Sequence, residues 1–289
     1  MLLLLLLLGA QRQVSPRPEG EDQPPWIRKK RLDDWRLLGS VGKGSFGEVF
    51  LAQDTKGNRR ALKVFYPFGD DRRTFDIEYD GMEQAQRLEE QPHLVPVESV
   101  VRSKYCIYYT MPLADALGDD PYAPYTLYNR MTKKDLAEEE LLEIAAAVLE
   151  ALAFLHGKGL VHRDVKPDNI LRVNGVWRLG DLGSITVRRP RSFTGTPGFY
   201  PEKKNFRADA ASDLYALGKT LYCAATGMKP EEYPLVPEPY DYDRYPYIRK
   251  LYRSAVEGKY KTAAEMRKDV EDVRLERTHR LKGITINLR

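Results

Sequence analysis

The sequence predicts an α+β fold with two lobes, in which a small β-rich lobe is followed by a larger, mainly helical lobe. Short β-rich segments surround one helical segment up to residue 111, and the chain after residue 115 is mostly helical in pattern. The composition is that of an ordinary globular protein, because 42% of the 289 residues are hydrophobic and 30% are charged. We therefore expect one folded unit over residues 32–275, with lobes at about 32–111 and 115–275.

The two ends of the chain are expected to lie outside this unit. Met1 is followed by seven leucines, and a helix of that length spans ~10 Å against a hydrocarbon core of ~30 Å. This run is too short to cross a bilayer, and the rest of the sequence contains no apolar run of membrane length. Prolines interrupt residues 10–31, so residues 1–31 are interpreted as a leader and linker, and residues 276–289 as a tail.

Charge and cysteine content argue against several classes of protein. Lys and Arg number 46 and Asp and Glu number 42, so the net charge of +4 gives no compositional basis for nucleic-acid binding. The two cysteines, Cys106 and Cys223, lie in apolar runs without metal-ligand spacing, which excludes a disulfide scaffold or a zinc module. Reduced thiols indicate a cytoplasmic protein.

The small lobe is predicted to contain four strands and one helix, the strands over residues 35–41, 47–52, 60–66 and 105–111 and the helix over 72–90. Three glycines lie at the turn between the first two strands: Gly42, Gly44 and Gly47. Glycines allow a backbone to fold close over phosphates, with its amides facing the anion. The GxGxxG spacing also occurs in dinucleotide-binding turns, but those lead into a helix, whereas a strand follows here.

The third strand and the helix carry a lysine and its candidate partner. Lys63 lies in an apolar strand, where a charged group needs an acidic neighbour. In the helix, Glu78 falls on the apolar stripe with Met82 and Ala85, whereas Glu83 falls on the polar face. We therefore choose Glu78 as the partner of Lys63. The alternative is that Glu78 merely borders the stripe.

Residues 162–169, with the sequence HRDVKPDN, carry the most specific chemistry of the chain. Asp164 offers a carboxylate that can accept a hydroxyl proton, Lys166 lies two residues later, and Asn169 supplies an amide suited to a hard cation. Asp181 lies twelve residues beyond Asn169, in the sequence DLG, and is also suited to magnesium. Carboxylates on loops are often only solvated turns, but this combination in this order is too particular for that.

These residues together resemble those of the eukaryotic-type (Hanks-type) Ser/Thr protein kinases, in a compact bacterial-like form, over about residues 33–275. The matching segments are the glycine-rich loop Gly42–Val49, Lys63, the catalytic loop His162–Asn169, the segment Asp181–Gly183, and Tyr200–Glu202 at the end of the substrate loop. The resemblance implies the two-lobed protein-kinase fold. It also implies that Asp213, in a buried helix, braces the backbone of the catalytic loop.

The resemblance implies ATP and Mg²⁺ as cofactors, a protein substrate with Ser or Thr, and a role for each site residue. Asp164 is expected to be the catalytic base, with Lys166 neutralising the γ-phosphate and Thr196 bridging toward both. Asn169 and Asp181 are expected to hold Mg²⁺. The expected ATP site comprises Gly42, Gly44, Gly47, Val49, Ala61, Lys63 held by Glu78, the gatekeeper Met111, and Leu113 in the hinge.

The substrate loop departs from the family pattern. Tyr200 replaces the usual alanine, and the segment from Thr196 to Glu202 is one residue shorter than is common. An arginine normally pairs with the glutamate that corresponds to Glu202, but the matching segment, residues 259–263, offers only lysines. Because lysine lacks the bidentate fork of arginine, we expect a weaker brace at this position.

Regulation is also indicated by the resemblance. Arg163 precedes Asp164, an arrangement that in this family often goes with phosphorylation of the loop between the DLG segment and Glu202. A phosphate on Ser192 or Thr194 would recruit nearby arginines and order the loop, so these residues are the expected autophosphorylation sites. A merely solvated basic loop is the alternative.

The sequence is compatible with three functions. The first is an active Ser/Thr protein kinase, and the second is a pseudokinase that acts as a binding or scaffold module. The third is a small-molecule phosphotransferase of the aminoglycoside-kinase type, which shares the two-lobed architecture. Intact charged positions favour an enzyme, and Lys166 together with residues 195–202 favours a protein substrate.

Overall fold

The computed structural model describes residues 29–43, 47–65, 72–103, 106–118, 121–187, 195–202 and 206–281. Gly44 and the candidate phosphorylation sites Ser192 and Thr194 lie outside these ranges, as does the leucine run at the start of the chain. No helix in the described ranges is long and apolar enough to span a bilayer.

The small lobe is built on an antiparallel sheet of six strands in the order β1-β2-β3-β4-β6-β5. Its strands are β1 (Arg31–Leu32), β2 (Trp35–Lys43), β3 (Gly47–Gln53), β4 (Arg59–Phe65), β5 (Ser99–Arg102) and β6 (Ile107–Met111). The four predicted strands are confirmed, with ends that differ by at most two residues within the described ranges. The short strands β1 and β5 were not predicted.

The helix of the small lobe, α1, spans Arg72–Gln86 and ends four residues earlier than predicted. Its last turn tightens through hydrogen bonds between residues three apart, from Arg87 N to Gln84 O and from Leu88 N to Ala85 O. The residues beyond are unfavourable for a helix, because carboxylates oppose the dipole at a helix C-terminus and Pro92 disfavours helical backbone before it.

The large lobe is mainly helical. Its helices are α2 (Leu127–Met131), α3 (Glu138–Gly157), α4 (Ala210–Thr226), α5 (Pro246–Val256) and α6 (Ala263–Leu281). The predicted helix at 137–156 is confirmed as α3, and three glutamates occupy its first turn, where the helix dipole favours negative charge. A reciprocal capping box between Asp209 and Ser212 starts α4.

Two small antiparallel ribbons in the large lobe hold the loops that carry the chemistry. Strand β7 (Leu160–Val161) pairs with β10 (Thr186–Val187), and β8 (Ile170–Val173) pairs with β9 (Val176–Leu179). The catalytic loop therefore runs between β7 and β8, and Asp181 follows β9 after one intervening residue, Gly180. The strands are too short to give a clear alternation in sequence, so they were not predicted.

The two faces of the small-lobe sheet are buried in different ways. Its outer face packs in a cluster of its own that includes Leu37, Leu62 and Tyr108. Its inner face joins a continuous core with the large lobe, whose members include Tyr109 and Met111. The lobes are also joined through the backbone, because Val95 N donates to Leu179 O at 2.9 Å.

Candidate active site

The catalytic loop is fixed from below by the first turn of α4. The Asp213 carboxylate is 1% exposed and accepts hydrogen bonds from the backbone amides of His162 and Arg163, both at 2.8 Å. His156 Nε2 lies 2.9 Å from the same carboxylate. Arg163 adopts a left-handed backbone with φ of 77°, a costly conformation that these contacts stabilise. The predicted contact of Asp213 with the loop is therefore confirmed.

Asp164, Lys166 and Thr196 form a closed triangle of hydrogen bonds. Lys166 Nζ donates to Asp164 Oδ2 and to Thr196 Oγ1, both at 2.8 Å, and Thr196 Oγ1 donates to Asp164 Oδ1 at 2.6 Å. Burial alone would raise the pKa of Asp164, but the charge of Lys166 and the hydrogen bonds from Lys166 and Thr196 outweigh it and hold this pKa below its ordinary value. The carboxylate of Asp164 is therefore ionised, and it already accepts a hydrogen bond from an alcohol, the hydroxyl of Thr196.

Lys166 remains a cation in this triangle. Its burial would lower the pKa of the ammonium, but the neighbouring Asp164 carboxylate more than compensates, so the pKa of Lys166 is raised. The pair thus presents one negative and one positive group side by side at the end of the catalytic loop. Such a pair can orient a hydroxyl and at the same time neutralise a phosphate that approaches it.

Asn169 is oriented for a cation by the bonds of its amide nitrogen. Asn169 Nδ2 donates to the Asp164 backbone oxygen at 2.8 Å and to Asp164 Oδ2 at 2.9 Å. The amide oxygen points away from these bonds and is a hard ligand of the kind that Mg²⁺ prefers. Gly180 N donates to Asn169 O at 2.7 Å, which ties Asn169 to the residue that precedes Asp181.

The oxygen donors of Asn169 and Asp181 fit a magnesium ion. In the described part of the chain no cluster of three or more His, Cys, Asp or Glu side chains forms a metal site. A Mg²⁺ ion held here would therefore depend on this one carboxylate and one amide and, as usual for this ion, on water and phosphate oxygens. Asp181 itself has a left-handed backbone with φ of 61° and ψ of 58°.

Lys63 is bound to Asp181, and the expected ion pair between Lys63 and Glu78 is not formed in this structure. No ion pair among the described residues joins these two side chains. Burial raises the pKa of Glu78 to about 7, against the opposing charge of Lys63. The side chain of Asp181 is 21% exposed, and a carboxylate in contact with water is the less costly counterion.

Glu78 nevertheless points into the site, as the apolar stripe predicted. It is 4% exposed, whereas the side chain of Glu83 is 36% exposed and its Oε1 accepts a hydrogen bond from Tyr79. A β-carbon placed on Gly183 would lie 2.7 Å from Glu78 Oε2, so the glutamate lies directly against the DLG turn. Glu78 is thus close to Asp181 and Lys63 without being bound to either.

The residues expected around the adenine all contact the core that joins the two lobes. Ala61 pairs with Met111 across β4 and β6, and both are buried in the core that joins the lobes. Val49 and Leu113 are half-buried and pack against the same core. The structure therefore places Ala61 and Met111 side by side, and Val49 and Leu113 against the same core.

The two described glycines of the cradle differ in their surroundings. A β-carbon on Gly47 would lie 2.3 Å from the Val64 carbonyl oxygen, so this glycine is required by the close approach of β3 to β4. A β-carbon on Gly42 would meet only the Val49 side chain, at 3.8 Å. The steric need at Gly47 is therefore one of sheet packing, whereas Gly42 is free of that constraint.

The expected weak brace of Glu202 by the lysines of residues 259–263 is wrong. Lys259 Nζ binds Glu257 at 3.0 Å, and Lys261 Nζ donates to the backbone oxygen of Gly258. Burial lowers the pKa of Lys219, a buried residue of α4, and the negative charge of Glu202 is among those that oppose this effect. The position of Lys219 near Glu202 has no signature in the sequence, because a lysine in the middle of an apolar helix matches no motif.

Two further residues of the site were missed in the sequence. Asp115 follows the hinge and accepts hydrogen bonds from Asn174 N and Gly175 N, which ties the hinge to the β8–β9 turn. Tyr109 faces the site from β6 with a buried hydroxyl. Strand alternation through Met111 could have identified Tyr109 as an inner-face residue.

Comparison with known proteins agrees with this geometry. The sequence profile of the protein kinase domain matches residues 35–272. Among similar proteins, the Ser/Thr-protein kinase AfsK of Streptomyces coelicolor is 30% identical over 224 residues, which cover 70% of this chain and 25% of AfsK. The Ser/Thr-protein kinase Aurora-1 of Arabidopsis thaliana is 27% identical over 229 residues, which cover 77% of this chain and 74% of Aurora-1.

A cyanobacterial protein shows the same relationship. The Ser/Thr-protein kinase PknA of Nostoc sp. is 28% identical over 216 residues, which cover 68% of this chain and 38% of PknA. The chain thus spans about a quarter of the length of AfsK and a larger share of the other two. The resemblance expected from the motifs is confirmed, and the chain belongs to the protein kinase family.

Proposed function

We propose that the chain is a Ser/Thr protein kinase that transfers the γ-phosphate of ATP to Ser or Thr hydroxyls of protein substrates. The observation that carries this proposal is the triangle of Asp164, Lys166 and Thr196. The ionised carboxylate of Asp164 accepts a hydrogen bond from the Thr196 hydroxyl at 2.6 Å, while the Lys166 ammonium lies 2.8 Å from the same carboxylate. This is the arrangement that a phosphoryl transfer to a hydroxyl requires.

Asp164 is proposed as the base. Its Oδ1 accepts a hydrogen bond from the hydroxyl of Thr196. A substrate hydroxyl that takes the place of Thr196 would be oriented for attack and would give its proton to the same oxygen. Lys166 would then stabilise the negative charge that is transferred with the phosphoryl group. Thr196 connects both residues to the substrate loop, so that an ordered loop and a competent base occur together.

Lys63 and Glu78 are proposed to position ATP. Because Lys63 is bound to Asp181 here, its ammonium must exchange this carboxylate for the nucleotide phosphates and for Glu78. Glu78 lies close enough for this exchange, since Lys63 lowers the pKa of the buried glutamate against the larger effect of burial. The nucleotide base would lie on the inner face of the sheet, against Ala61 and Met111.

Asn169 and Asp181 are proposed as the ligands of Mg²⁺, which supplies positive charge beside the phosphates of ATP. Both residues offer oxygen donors, and the hydrogen bonds of Asn169 Nδ2 fix the direction in which its oxygen points. Release of Asp181 by Lys63 would free a carboxylate for the cation. The two events are therefore expected to occur together on binding of the nucleotide.

Autophosphorylation and a cytoplasmic location are part of the proposal. The proposed modification sites, Ser192 and Thr194, lie outside the described residues. Arg163 would supply part of the phosphate site, because its guanidinium reaches this loop and lies 3.4 Å from Ser184 O. Both cysteines, Cys106 and Cys223, are buried free thiols, which supports a reducing compartment.

A substrate panel tests the proposed function. The full chain is incubated with γ-labelled ATP and Mg²⁺, alone, with a generic basic protein and with an aminoglycoside, and Asp164→Asn is run in parallel. Acid-stable label on Ser or Thr that is lost in Asp164→Asn is the expected result. Label on the aminoglycoside alone would identify a small-molecule phosphotransferase, and ATP binding without any transfer would identify a pseudokinase.

A further inference from the structure

Tyr109 carries a buried hydroxyl to which the proposed function assigns no role. The residue is 1% exposed and lies opposite Lys63 in the pairing of β4 with β6. The ring of Phe65 stacks on its ring at a centroid distance of 6.2 Å. The hydroxyl makes no hydrogen bond of normal geometry, although water cannot reach it. Buried polar groups without a partner are rare in proteins, and each one requires an explanation.

The surroundings of this hydroxyl are acidic. Burial in the first place, then the negative charges of Asp181 and Glu78, and finally the closeness of the hydroxyl to the Asp181 carboxylate raise the pKa of Tyr109 well above its ordinary value. The phenol therefore keeps its proton and faces the two carboxylates as a hydrogen-bond donor. A donor that lies next to two acceptors needs only a small movement of one of them to form a bond.

The neighbouring tyrosine of the same strand is satisfied. Tyr108 faces the other side of the sheet, where its hydroxyl donates to Asp33 Oδ2 at 2.5 Å. At position 109, by contrast, a phenylalanine would fill the same space without burying an unpaired oxygen. The hydroxyl of Tyr109 is therefore unfavourable in this structure, where it lies beside the Asp181 carboxylate without a hydrogen bond of good geometry, and a state in which that bond is well formed would account for it.

The position of Lys63 indicates which state that is. Lys63 supplies a donor to the Asp181 carboxylate in this structure. The proposed function, on which this step rests, moves the ammonium of Lys63 to the nucleotide phosphates and to Glu78. Asp181 then loses a donor at the moment when its carboxylate has to present an oxygen to Mg²⁺.

We propose that the Tyr109 hydroxyl donates a hydrogen bond to Asp181 when Lys63 leaves it, and that this bond orients the carboxylate toward Mg²⁺. One carboxylate oxygen accepts from Tyr109, and the other remains free for the cation. Tyr109 is accordingly a positioning residue, since it contacts a metal ligand and none of the reacting atoms.

The test compares Tyr109→Phe with wild type and with Tyr108→Phe in the full chain. The affinity for ATP is measured by calorimetry over a series of Mg²⁺ concentrations, so that the readout does not require phosphoryl transfer. Because a hydrogen bond to a charged group is lost, Tyr109→Phe is expected to need about ten-fold more Mg²⁺ for half of the gain in affinity. Affinity without Mg²⁺ should be unchanged. Tyr108→Phe, which removes the same group from the outer face, should behave as wild type.

Each other outcome has a definite meaning. A wild-type Mg²⁺ dependence in Tyr109→Phe, or an equal shift in both variants, would overturn the role of Tyr109 and leave the proposed function untouched. Failure of wild type to bind ATP with Mg²⁺ would contradict the proposed function itself. If Tyr109→Phe does not fold, Tyr109→Met removes the hydroxyl with a flexible apolar side chain, and the same criteria apply to it.

Discussion

The ammonium of Lys63 is bound to the carboxylate of Asp181, 118 residues further along the chain. The other carboxylate near Lys63, that of Glu78, is 4% exposed and has a pKa raised to about 7 by its burial. Lysine thus pairs with the carboxylate that keeps contact with water and leaves the buried one to hold a proton over part of the physiological pH range. When nucleotide phosphates bind, Lys63 is expected to leave Asp181 and to pair with Glu78.

The buried carboxylate of Glu78 predicts a pH-dependent stability. Its pKa is about 7 in the folded protein and ordinarily 4.5, so the folded chain holds a proton that the unfolded chain releases between these values. Wild type therefore loses stability, relative to Glu78→Gln, as the pH rises through this window, by about 3 kcal/mol in total. Urea unfolding of both proteins at pH 5 and pH 8 measures this. A difference between them that does not change with pH would contradict the burial of an ionisable group here.

The same substitution is expected to lower activity while it raises stability at pH 8. Glu78→Gln removes the charge that is proposed to hold Lys63 at the nucleotide, so kcat/KM for ATP should fall by about ten-fold or more. Steady-state kinetics at pH 8 check this. Unchanged kcat/KM would mean that Glu78 is only a buried residue at the border of the apolar stripe. Glu83→Gln, on the exposed side of the same helix, is the matched control and should keep wild-type kinetics.

A larger residue at position 81 of α1 is expected to clash with the DLG turn. A β-carbon at this position would lie 2.1 Å from the backbone oxygen of Gly183, so the helix contacts the DLG turn through a glycine. Gly81→Ala must displace one of the two backbones and should cost about 2 kcal/mol, with a loss of activity. Gly157→Ala is the control, because nothing lies within 4 Å of its β-carbon position. The stability of both variants is measured by thermal unfolding. Equal stability of the two would contradict the close contact between α1 and the DLG turn.

The substitution Asp213→Asn is expected to loosen the catalytic loop. The substitution keeps one carbonyl acceptor for the amides of His162 and Arg163 but turns an NH₂ group toward the other, which should cost about 2 kcal/mol of stability. We expect kcat to fall and ATP affinity to persist, since Asp213 contacts the loop and not the nucleotide. Denaturant unfolding and calorimetry measure the two effects, with Asp272→Asn on the exposed face of α6 as control. Loss of ATP binding with full stability would contradict the bracing role.

Substitution of Lys219 is expected to weaken binding of the protein substrate without affecting ATP. Its ammonium donates to Pro230 O at 2.5 Å, and a β-carbon on Gly198 in the substrate loop would lie 2.7 Å from Pro230. Lys219→Met releases the Pro230 turn and with it the support of Gly198. The KM for a protein substrate should rise several-fold while the KM for ATP is unchanged. A parallel rise of both values, or no change relative to Lys250→Met on the exposed side of α5, would contradict this.

Periodicity and motif order together predicted the elements that carry the site. The stripe that contains Met82 correctly separated Glu78, which is buried, from Glu83, which is half-exposed. The strands that carry Lys63 and Met111 were found because their apolar residues alternate or run without interruption. Local patterns of this kind are a property of the sequence, and they are preserved in the fold.

Other features depend on competition in space and left no local pattern. The choice of Lys63 between two carboxylates is set by their relative exposure, which arises only once α1, β4 and the DLG turn are packed together. Likewise, the surroundings of Lys219 include a ring from beyond its own helix, since its ammonium lies 4.9 Å from the ring centroid of Tyr233. The early end of α1 could have been predicted, because Pro92 and the acidic residues before it are visible in the sequence.

A comparison of Asp164→Asn with Asp168→Asn tests whether Asp164 is the catalytic base. Both substitutions replace a carboxylate by an amide in the same loop, but Asp164 is held against Lys166 and Thr196 whereas Asp168 is exposed. The rate of phosphate transfer from ATP to protein is measured for both at saturating ATP and Mg²⁺. We expect the rate to fall by about 10²-fold or more in Asp164→Asn and to remain nearly unchanged in Asp168→Asn. Equal rates in the two variants would contradict the role of Asp164 as base.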